Sequence, residues 1–288
     1  MLVKIKNKIY KLKESSGKDG FVKTAKKARK HLFRSLWCKS KLNEWKLPIR
    51  WIMGKIVEMR KSVKIGDLQL SVNNPAVITS TKYRFWFDNY EKEERDAVKK
   101  FLESVYPVIE LGGGIGAMAC FINKKLTNPK KHIVVEANQN LANLIEENRL
   151  INDCNFTVIN RVLGYGGNEI PFYIDKIYVS GSAKRKTSES IVVPAITLEK
   201  IFDKYGFDVA ALVCDIEGSE IELVDREIDT LSEKINLIIM ETHSRITGKE
   251  AVEKMLRQLQ EQGFEKIFTA TDAIVLKNKK FNNKKYVQ

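Results

Sequence analysis

A glycine-rich segment at residues 108–121, VIELGGGIGAMACF, holds the residues best suited to chemistry in this sequence. Three consecutive glycines, Gly112 to Gly114, and then Gly116 separate a strand-like apolar run from a helix-like one. Glycine lets the backbone turn sharply and approach a ligand without a Cβ atom in the way, and the first turn of a helix offers free N–H groups. The pattern predicts a loop that cradles a bound molecule. A tight strand-to-helix turn without a ligand is the simpler alternative.

Two acidic residues accompany this loop. Glu110 stands two residues before the first glycine, and Glu136 ends the next apolar run, HIVVEAN. A carboxylate presents only acceptors, so Glu136 is suited to accept hydrogen bonds from both hydroxyls of a ribose. Gly112, Gly114 and Ala117 also match the dinucleotide pattern G-x-G-x-x-G/A, which leaves a nicotinamide cofactor open. Against that cofactor, Glu110 would repel a pyrophosphate, whereas it would attract a cationic amino-acid group.

A second group of polar residues follows two later apolar runs. The first run, within residues 209–224, ends at Asp215, and the second, within residues 235–244, ends near His243. Ligands of open α/β sheets bind beyond the carboxyl ends of the strands, so we expect both side chains near the glycine loop. A carboxylate and an imidazole there are a reasonable pair for removing a hydroxyl proton. The alternatives are a hydrogen-bonded structural histidine and an aspartate that caps the next helix.

This second group also contains four glutamates, namely Glu217, Glu220, Glu222 and Glu241. Asp215, Glu217 and His243 are all residue types that bind metals, which raises the question of a metal site. Their spacing matches no recognised metal-binding pattern, so no metal is predicted.

Alternating strands and helices must position these residues. From residue 106 onward, apolar runs alternate with amphipathic ones, and the chain ends in two close strands at residues 266–270 and 273–277. The pattern predicts a mostly parallel sheet covered by helices on both faces, with a C-terminal antiparallel hairpin. Residues 65–80 are predicted as a short strand and turn, and residues 156–163 as one strand. The segment 178–190, YVSGSAKRKTSES, is predicted to cover the acceptor site; a solvated loop is the alternative.

Charge divides the chain of 288 residues, whose formal net charge is +14. Residues 1–64 hold 20 Lys and Arg against four Asp and Glu, whereas residues 65–276 hold 25 against 32. We therefore predict a basic helical extension over residues 1–64 and a main domain over residues 65–288. The extension is suited to an anionic membrane surface or another polyanion. Alternatively, its apolar stripes pack on the main domain or on the partner in a homodimer.

Composition excludes several classes of protein. Hydrophobic residues make up 43% and charged residues 30%, which argues against disorder and collagen-like repeats. No apolar run approaches the roughly 18 residues of a membrane span, and the N-terminus lacks the apolar core of a signal peptide. The four cysteines, Cys38, Cys120, Cys154 and Cys214, are widely spaced, which fits a reducing compartment. We expect a cytoplasmic protein, peripheral to the inner face of the membrane through its basic extension.

Four blocks of sequence resemble the class I S-adenosylmethionine-dependent methyltransferases and, within them, the FkbM family. The blocks are IELGGGIG (109–116), VEAN (135–138), ITLEKIF (196–202), and CDIEGSEIELV (214–224) followed by IIMETH (238–243). The block that resembles the family's D-x-E-G-x-E motif is the most specific. Gly113 and Gly114 stand where the family often has Ala-Asn, Glu199 replaces the commoner Asp, and Val213 stands where a lysine often precedes the motif.

The resemblance implies a Rossmann-like class I methyltransferase fold with a seven-stranded sheet and S-adenosyl-L-methionine as cofactor. In that fold the amino-acid end of the cofactor would meet Glu110 and the loop of Gly112, Gly114 and Gly116. Its ribose would meet Glu136. Asn138 and the residues near 161–163 would flank its adenine.

The resemblance also implies an O-methyltransferase acting on a hydroxyl of a sugar or glycan, lipid-linked and phosphorylated acceptors included. Asp215 or His243 would accept or orient the proton of that hydroxyl. Two alternatives remain open. One is a nucleic-acid methyltransferase, although the sequence has no base-methylating motif; the other is a non-catalytic binding protein with a vestigial cofactor site.

Overall fold

The computed structural model describes residues 51–52, 54–60, 62–72, 74, 77, 79, 82, 85, 90–174, 181–182 and 189–281. Most of the predicted basic extension, including residues 1–50, falls outside these residues, and so does most of the predicted acceptor loop at 178–190. Their structures, and the domain boundary after residue 64, therefore stay predictions. Within the described ranges, no helix is both long and apolar enough to traverse a bilayer.

From residue 106 onward, the described helices and strands follow the order that the apolar pattern predicts, apart from residues 156–163. The elements, in chain order, are β1 Ser62–Ile65, β2 Leu68–Ser71, α1 Lys92–Phe101, β3 Val108–Leu111, α2 Ala117–Lys125, β4 His132–Val135, α3 Gln139–Ile151, β5 Thr157–Ile159, β6 Val162–Leu163, β7 Glu169–Ile174, β8 Gly181–Ser182, β9 Glu189–Ile196, α4 Leu198–Tyr205, β10 Ala210–Cys214, α5 Glu220–Lys234, β11 Ile235–Glu241, α6 Ser244–Thr247, α7 Lys249–Glu261, β12 Phe264–Ala270 and β13 Ala273–Asn278. A 3₁₀ turn at Lys279–Phe281 ends the described chain.

The main sheet has seven strands among the described residues, in the order β12-β13-β11-β10-β3-β4-β5. The five strands from β5 to β11 pair in parallel, and β13 and β12 pair antiparallel at one edge. Every residue of β3, β4 and β10 is buried, as expected for parallel strands that are covered on both faces. The predicted sheet and its C-terminal hairpin are confirmed.

Side chains on the two faces of the sheet enter two different layers of helices. Ile109 of β3 and Leu212 of β10 pack with apolar residues of α4, α5 and α7. Their neighbours Val108 and Ala211 pack with α1 and α2 on the opposite face. This alternation with a period of two residues is what a continuous apolar strand between two helical layers requires.

The order of the strands creates a crevice next to β3. From β3 the chain moves outward through β4 and β5, and β10 then returns to the other side of β3. Leu111 at the end of β3 pairs with Cys214 at the end of β10. The loops that follow, beginning at Gly112 and Asp215, therefore leave neighbouring strands at the point where the order reverses, which is where open α/β sheets bind ligands.

The prediction of one strand over residues 156–163 is wrong. The segment forms β5 in the main sheet and β6 in a separate four-stranded sheet with the order β6-β9-β7-β8. Between them, the side-chain amide of Asn160 donates hydrogen bonds to the backbone oxygens of Glu136 and Ala137, at 2.8 and 3.1 Å. These hydrogen bonds hold Asn160 against the residues that follow β4. The chain therefore leaves the main sheet after β5, at Asn160.

The predicted strand and turn near residue 65 are an antiparallel hairpin of β1 and β2. Its second strand is held by two buried asparagines of α3 and its C-terminus. Asn148 accepts a hydrogen bond from the backbone N–H of Ser71 at 2.6 Å, and Asn152 accepts one from Gln69 at 2.9 Å. The hairpin is thus fastened to the helix that follows Glu136, next to the crevice.

Candidate active site

The crevice lies beyond the carboxyl ends of β3, β4 and β10. Its described lining is Tyr90, Glu91, Leu111, Gly112, Gly114, Val135, Glu136, Ala137, Leu141, Arg161, Val162, Leu163, Phe172, Asp215, Ile216, Glu217 and Ser219. The lining differs between its ends. The end near β6 and β7 is mostly apolar and contains an aromatic ring, whereas the end near β10 and α1 is acidic.

The glycine loop closes against the end of β10. Gly112 has a φ of +87°, and a Cβ atom at this position would lie 1.8 Å from the backbone oxygen of Asp215. Glycine is therefore required at position 112 for two reasons: the backbone is left-handed there, and the backbone of Asp215 lies too close for a Cβ atom. At Gly114 a Cβ atom would meet only ordinary van der Waals contacts, at 3.7 Å from the hydroxyl of Tyr90 and 3.9 Å from Oε1 of Glu91. The loop thus exposes bare backbone to the crevice.

Glu136 organises the loop as well as lining the crevice. Its carboxylate accepts hydrogen bonds from the backbone N–H groups of Gly114, at 3.0 Å, and Asn138, at 2.8 Å. Burial raises the pKa of Glu136 to about 7, although the same backbone hydrogen bonds act to lower it. A carboxylate has about four acceptor sites, so two remain for the hydroxyls of a ribose.

Asn138 acts as the N-cap of α3. Its side chain accepts a hydrogen bond from the backbone N–H of Asn140 at 3.0 Å. It is buried and is not among the described residues that line the crevice. Residues 161–163, which we expect beside the adenine, do line it. The adenine contact of Asn138 stays a prediction.

Glu110 and His132 form a buried pair behind the glycine loop. Nε2 of His132 lies 3.2 Å from Oε2 of Glu110, and neither side chain is exposed. Burial lowers the pKa of His132 to about 3. Burial, and then the charges of Glu91, Glu136 and Asp215, raise the pKa of Glu110 well above its usual range. Among the described residues, Glu110 is not part of the crevice lining, so its contact with the cofactor also stays a prediction.

Asp215 and His243 meet at the strand edge, as we expect from their positions in the sequence. Nε2 of His243 lies 3.3 Å from Oδ1 of Asp215, and 3.6 Å from Oε2 of Glu217. On the other side of the ring, Nδ1 lies 2.9 Å from Oε1 of Glu220. Glu220 is buried and also accepts hydrogen bonds from the backbone N–H groups of Ile216 and Gly218, at 3.0 and 2.9 Å. It therefore holds both the loop and the imidazole.

The carboxylates around His243 change the chemistry that we expect of it. Burial alone would lower the pKa of His243, but its contacts with Asp215 and Glu220 raise this pKa to about 11. The ring therefore carries a proton and a positive charge at neutral pH. An imidazolium donates hydrogen bonds and cannot accept a further proton, so Asp215 is left as the acceptor of the pair.

Ligand atoms of Asp215, Glu241 and His243 lie within 4.8 Å of one another, which is close enough to hold a cation. Burial, and then the charges of Asp215 and Glu94, raise the pKa of Glu241 to about 8. The imidazolium of His243 already supplies a positive charge to these carboxylates. A metal would have to displace its proton, so we interpret the group as an ion-pair cluster.

Glu91 is a residue of the crevice that the sequence does not single out. It begins α1 with a φ of +47° and lies at the acidic end of the lining. Burial, and then the charges of Asp215 and Glu94, raise its pKa to about 8. The sequence shows only one more acidic residue in a run of alternating charges. Its place beside the crevice depends on how α1 packs against β11 and β13.

The lining fits S-adenosylmethionine. Phe172 and Leu163 offer an apolar surface for a base, and Glu136 has free acceptor sites for a ribose. The acidic end, with Glu91 and Asp215, suits a positively charged amino-acid group. The two negative phosphates of a nicotinamide dinucleotide would meet repulsion at this end, which removes that alternative.

Several solved structures of other proteins overlap with this chain at low identity. A protein in the NADB-Rossmann superfamily from Streptococcus agalactiae is 10% identical, with 65% of this chain and 68% of that chain covered and a TM-score of 0.40. An rRNA methylase from Streptococcus thermophilus is 9% identical, with 65% and 94% covered and a TM-score of 0.41. Aeropyrum pernix fibrillarin, solved with natively bound S-adenosyl-L-methionine, is 12% identical, with 64% and 73% covered and a TM-score of 0.38.

The family assignment therefore rests on sequence. None of the curated proteins compared with the chain matches it. The profile of the methyltransferase FkbM domain matches residues 110–266, which is more than half of the 288 residues. This range contains Glu110 with the glycine loop and Glu136, and also the pair of Asp215 and His243. The chain belongs to the FkbM methyltransferase family and is an S-adenosylmethionine-dependent methyltransferase.

Proposed function

We propose that the chain is an O-methyltransferase that methylates a hydroxyl of a sugar or glycan. The observation that carries this proposal is the pairing of Asp215, which lines the acidic end of the crevice, with a protonated His243, which lies outside the described lining. A hydroxyl must lose its proton when it is methylated, and a carboxylate at this position is suited to receive it.

The cofactor supplies an electrophilic methyl group, so the chain's own residues have to align the acceptor and manage its proton. Alignment alone contributes much of the acceleration of such a displacement. Asp215 would hold the acceptor hydroxyl and take its proton. The imidazolium of His243, fixed by Glu220 at 2.9 Å, keeps Asp215 oriented and stabilises its negative charge.

The charge around Asp215 favours a neutral acceptor rich in hydroxyls. Glu91 and Glu217 line the crevice beside it, and Glu241 lies within the same ion-pair cluster. Carboxyl groups accept hydrogen bonds from sugar hydroxyls. The carboxylates of Asp215 and Glu217 also repel a phosphodiester at short range, which disfavours a nucleic acid at the reacting position. A phosphate on a glycan acceptor would have to lie away from this end.

An acceptor screen tests the proposal. Formation of S-adenosylhomocysteine is measured with nucleotide sugars, lipid-linked oligosaccharides and free glycans, and with RNA and DNA. With the glycan that is methylated, we expect Asp215→Asn to slow turnover at least about 100-fold, the usual scale of general base catalysis. Asp203→Asn, the same change at an exposed position of α4, should leave turnover unchanged.

Two results of the screen contradict the proposal. Methylation of nucleic acid but of no glycan would support the alternative that the sequence leaves open. Turnover by Asp215→Asn at the rate of the Asp203→Asn control would remove Asp215 as the base.

We also propose that the basic extension holds the enzyme at an anionic membrane surface. Its support is sequence: residues 1–64 carry a net charge of +16, and Phe21, Ala25, Ala28, Leu32 and Leu36 recur at helical spacing. Lysine and arginine between such apolar positions are typical of helices that lie on membranes. A membrane-bound enzyme would meet lipid-linked glycans.

A further inference from the structure

Three buried carboxyl oxygens in and behind the acidic end of the crevice have no hydrogen-bond donor among the described residues. They are Oε2 of Glu91, Oε1 of Glu110 and Oδ1 of Asp215. Asp215 is already paired with His243, whose Nε2 lies 3.3 Å from this oxygen. A buried acceptor without a donor is costly and rare. The oxygens of Glu91 and Glu110 therefore point to a donor that a ligand brings.

Glu91 is the one of these two residues that a ligand in the crevice reaches. It is part of the lining, together with Gly114 and Asp215. A Cβ atom at Gly114 would lie 3.9 Å from Oε1 of Glu91, so the carboxyl faces the bare backbone of the glycine loop. The terminal torsion of a glutamate is soft, which lets the carboxyl turn either oxygen toward the loop.

The charges of the crevice determine which part of the cofactor lies here. The adenosine part is neutral, whereas the methionine part carries a positive sulfonium, an α-ammonium group and an α-carboxylate, with a net charge of +1. Arg161, Leu163 and Phe172 line the opposite end, where a cation would be repelled and a flat base is accommodated. Glu91, Asp215 and Glu217 line this end, and an ammonium offers three N–H donors to such carboxylates.

We propose that the carboxylate of Glu91 binds the α-ammonium group of the methionine part of S-adenosylmethionine and fixes it beside Gly114. The proposal rests on the methyltransferase assignment and goes beyond it, because neither the family match, which begins at residue 110, nor the sequence pattern assigns a role to Glu91.

Binding should then release a proton. Without ligand, burial and the neighbouring carboxylates hold the pKa of Glu91 at about 8, so most of this group is protonated near pH 7. An ammonium in contact favours the ionised carboxylate and lowers that pKa. Proton release upon binding is seen as a dependence of the calorimetric enthalpy on the ionisation enthalpy of the buffer.

Isothermal titration calorimetry with two ligands tests this role. S-adenosylhomocysteine has the ammonium group, whereas 5′-methylthioadenosine has the same nucleoside and sulfur but no amino-acid part. For Glu91→Gln we expect affinity for S-adenosylhomocysteine to fall about 10- to 100-fold, with loss of part of the proton release. Affinity for 5′-methylthioadenosine should stay within about twofold, which also demonstrates that the variant is folded.

Glu93→Gln is the matched control, because it makes the same change in the first turn of α1, at an exposed residue outside the described lining. It should bind both ligands as the unaltered chain does. Equal affinity of Glu91→Gln and the unaltered chain for S-adenosylhomocysteine overturns the proposal, and so does an equal loss for both ligands. If neither ligand binds the unaltered chain, the methyltransferase assignment fails, and the proposal fails with it.

Discussion

The proton on His243 separates the roles of the two residues that we expect to handle the acceptor. Their types and spacing predict an acid–base pair without saying which member is the base. The contacts of the ring with Asp215, Glu217 and Glu220 make the imidazole a permanent cation near neutral pH. A neutral histidine could accept a proton, but the charged ring of His243 can only donate hydrogen bonds. Of the two residues, Asp215 is therefore the one that we expect to take the proton of the acceptor hydroxyl.

This protonation is measurable. We expect the ¹⁵N signals of His243 to remain those of imidazolium from about pH 6 to about pH 9, since its pKa is raised to about 11. In Glu220→Gln, one carboxylate that favours the charged ring is removed, so this pKa should fall by more than about one unit. Glu233→Gln, at an exposed position of α5, should not change it. Titration of His243 near its ordinary pKa in the unaltered chain would contradict the assignment.

The ends of β3 and β10 are the elements that give the site its shape. Their pairing brings Leu111 beside Cys214. The residues that follow these two, Gly112 and Asp215, both line the crevice. Continuous apolar runs and a glycine cluster predict two such strands and a turn. They do not predict that the two strands are neighbours, because β4, β5 and the four-stranded sheet lie between them in sequence.

Gly112→Ala tests this close approach. The new methyl group would collide with the backbone oxygen of Asp215, at 1.8 Å, in a backbone with a φ of +87°. We expect a loss of roughly 2–5 kcal/mol in the free energy of unfolding, with loss of S-adenosylhomocysteine binding. Gly206→Ala, with a φ of +63° but no atom within 4 Å of the new carbon, should cost only about 1–2 kcal/mol. Urea unfolding compares the two; equal losses would mean that the approach to Asp215 is unimportant.

For the whole molecule, the main feature is the contrast between a basic N-terminus and an acidic body. The body carries 25 Lys and Arg against 32 Asp and Glu over residues 65–276. The acidic end of the crevice belongs to this body, so the net charge of +14 describes the extension and the basic tail. The net charge of the whole chain is therefore no guide to the charge of the acceptor, and the membrane contact of the extension stays a proposal.

Vesicle sedimentation tests the proposed membrane contact. We expect the full chain to sediment with vesicles that contain phosphatidylserine and not with neutral vesicles, and to be released between about 50 and 300 mM salt as the Debye length shortens. Replacing four lysines of the extension by glutamine should weaken this binding; the positions are Lys23, Lys26, Lys27 and Lys30. The same change at four lysines exposed on the body should have a smaller effect; these are Lys200, Lys204, Lys254 and Lys266. Binding of RNA by a full chain that sediments with neither kind of vesicle would contradict the membrane proposal.

The local sequence pattern by itself determined the order of most strands and helices and the position of several site residues. The alternation of strands and helices, the glycine turn, and the acidic residues Glu136 and Asp215 at strand ends are properties of short segments, since apolar period and glycine content act within a few residues. Tertiary structure decided what depends on residues far apart in the chain. Burial against distant carboxylates sets the charge of His243, the packing of α1 brings Glu91 to the crevice, and parallel pairing of β3 with β4 joins Glu110 to His132. Desolvation and Coulomb interactions depend on distance in space, which no segment of sequence specifies alone.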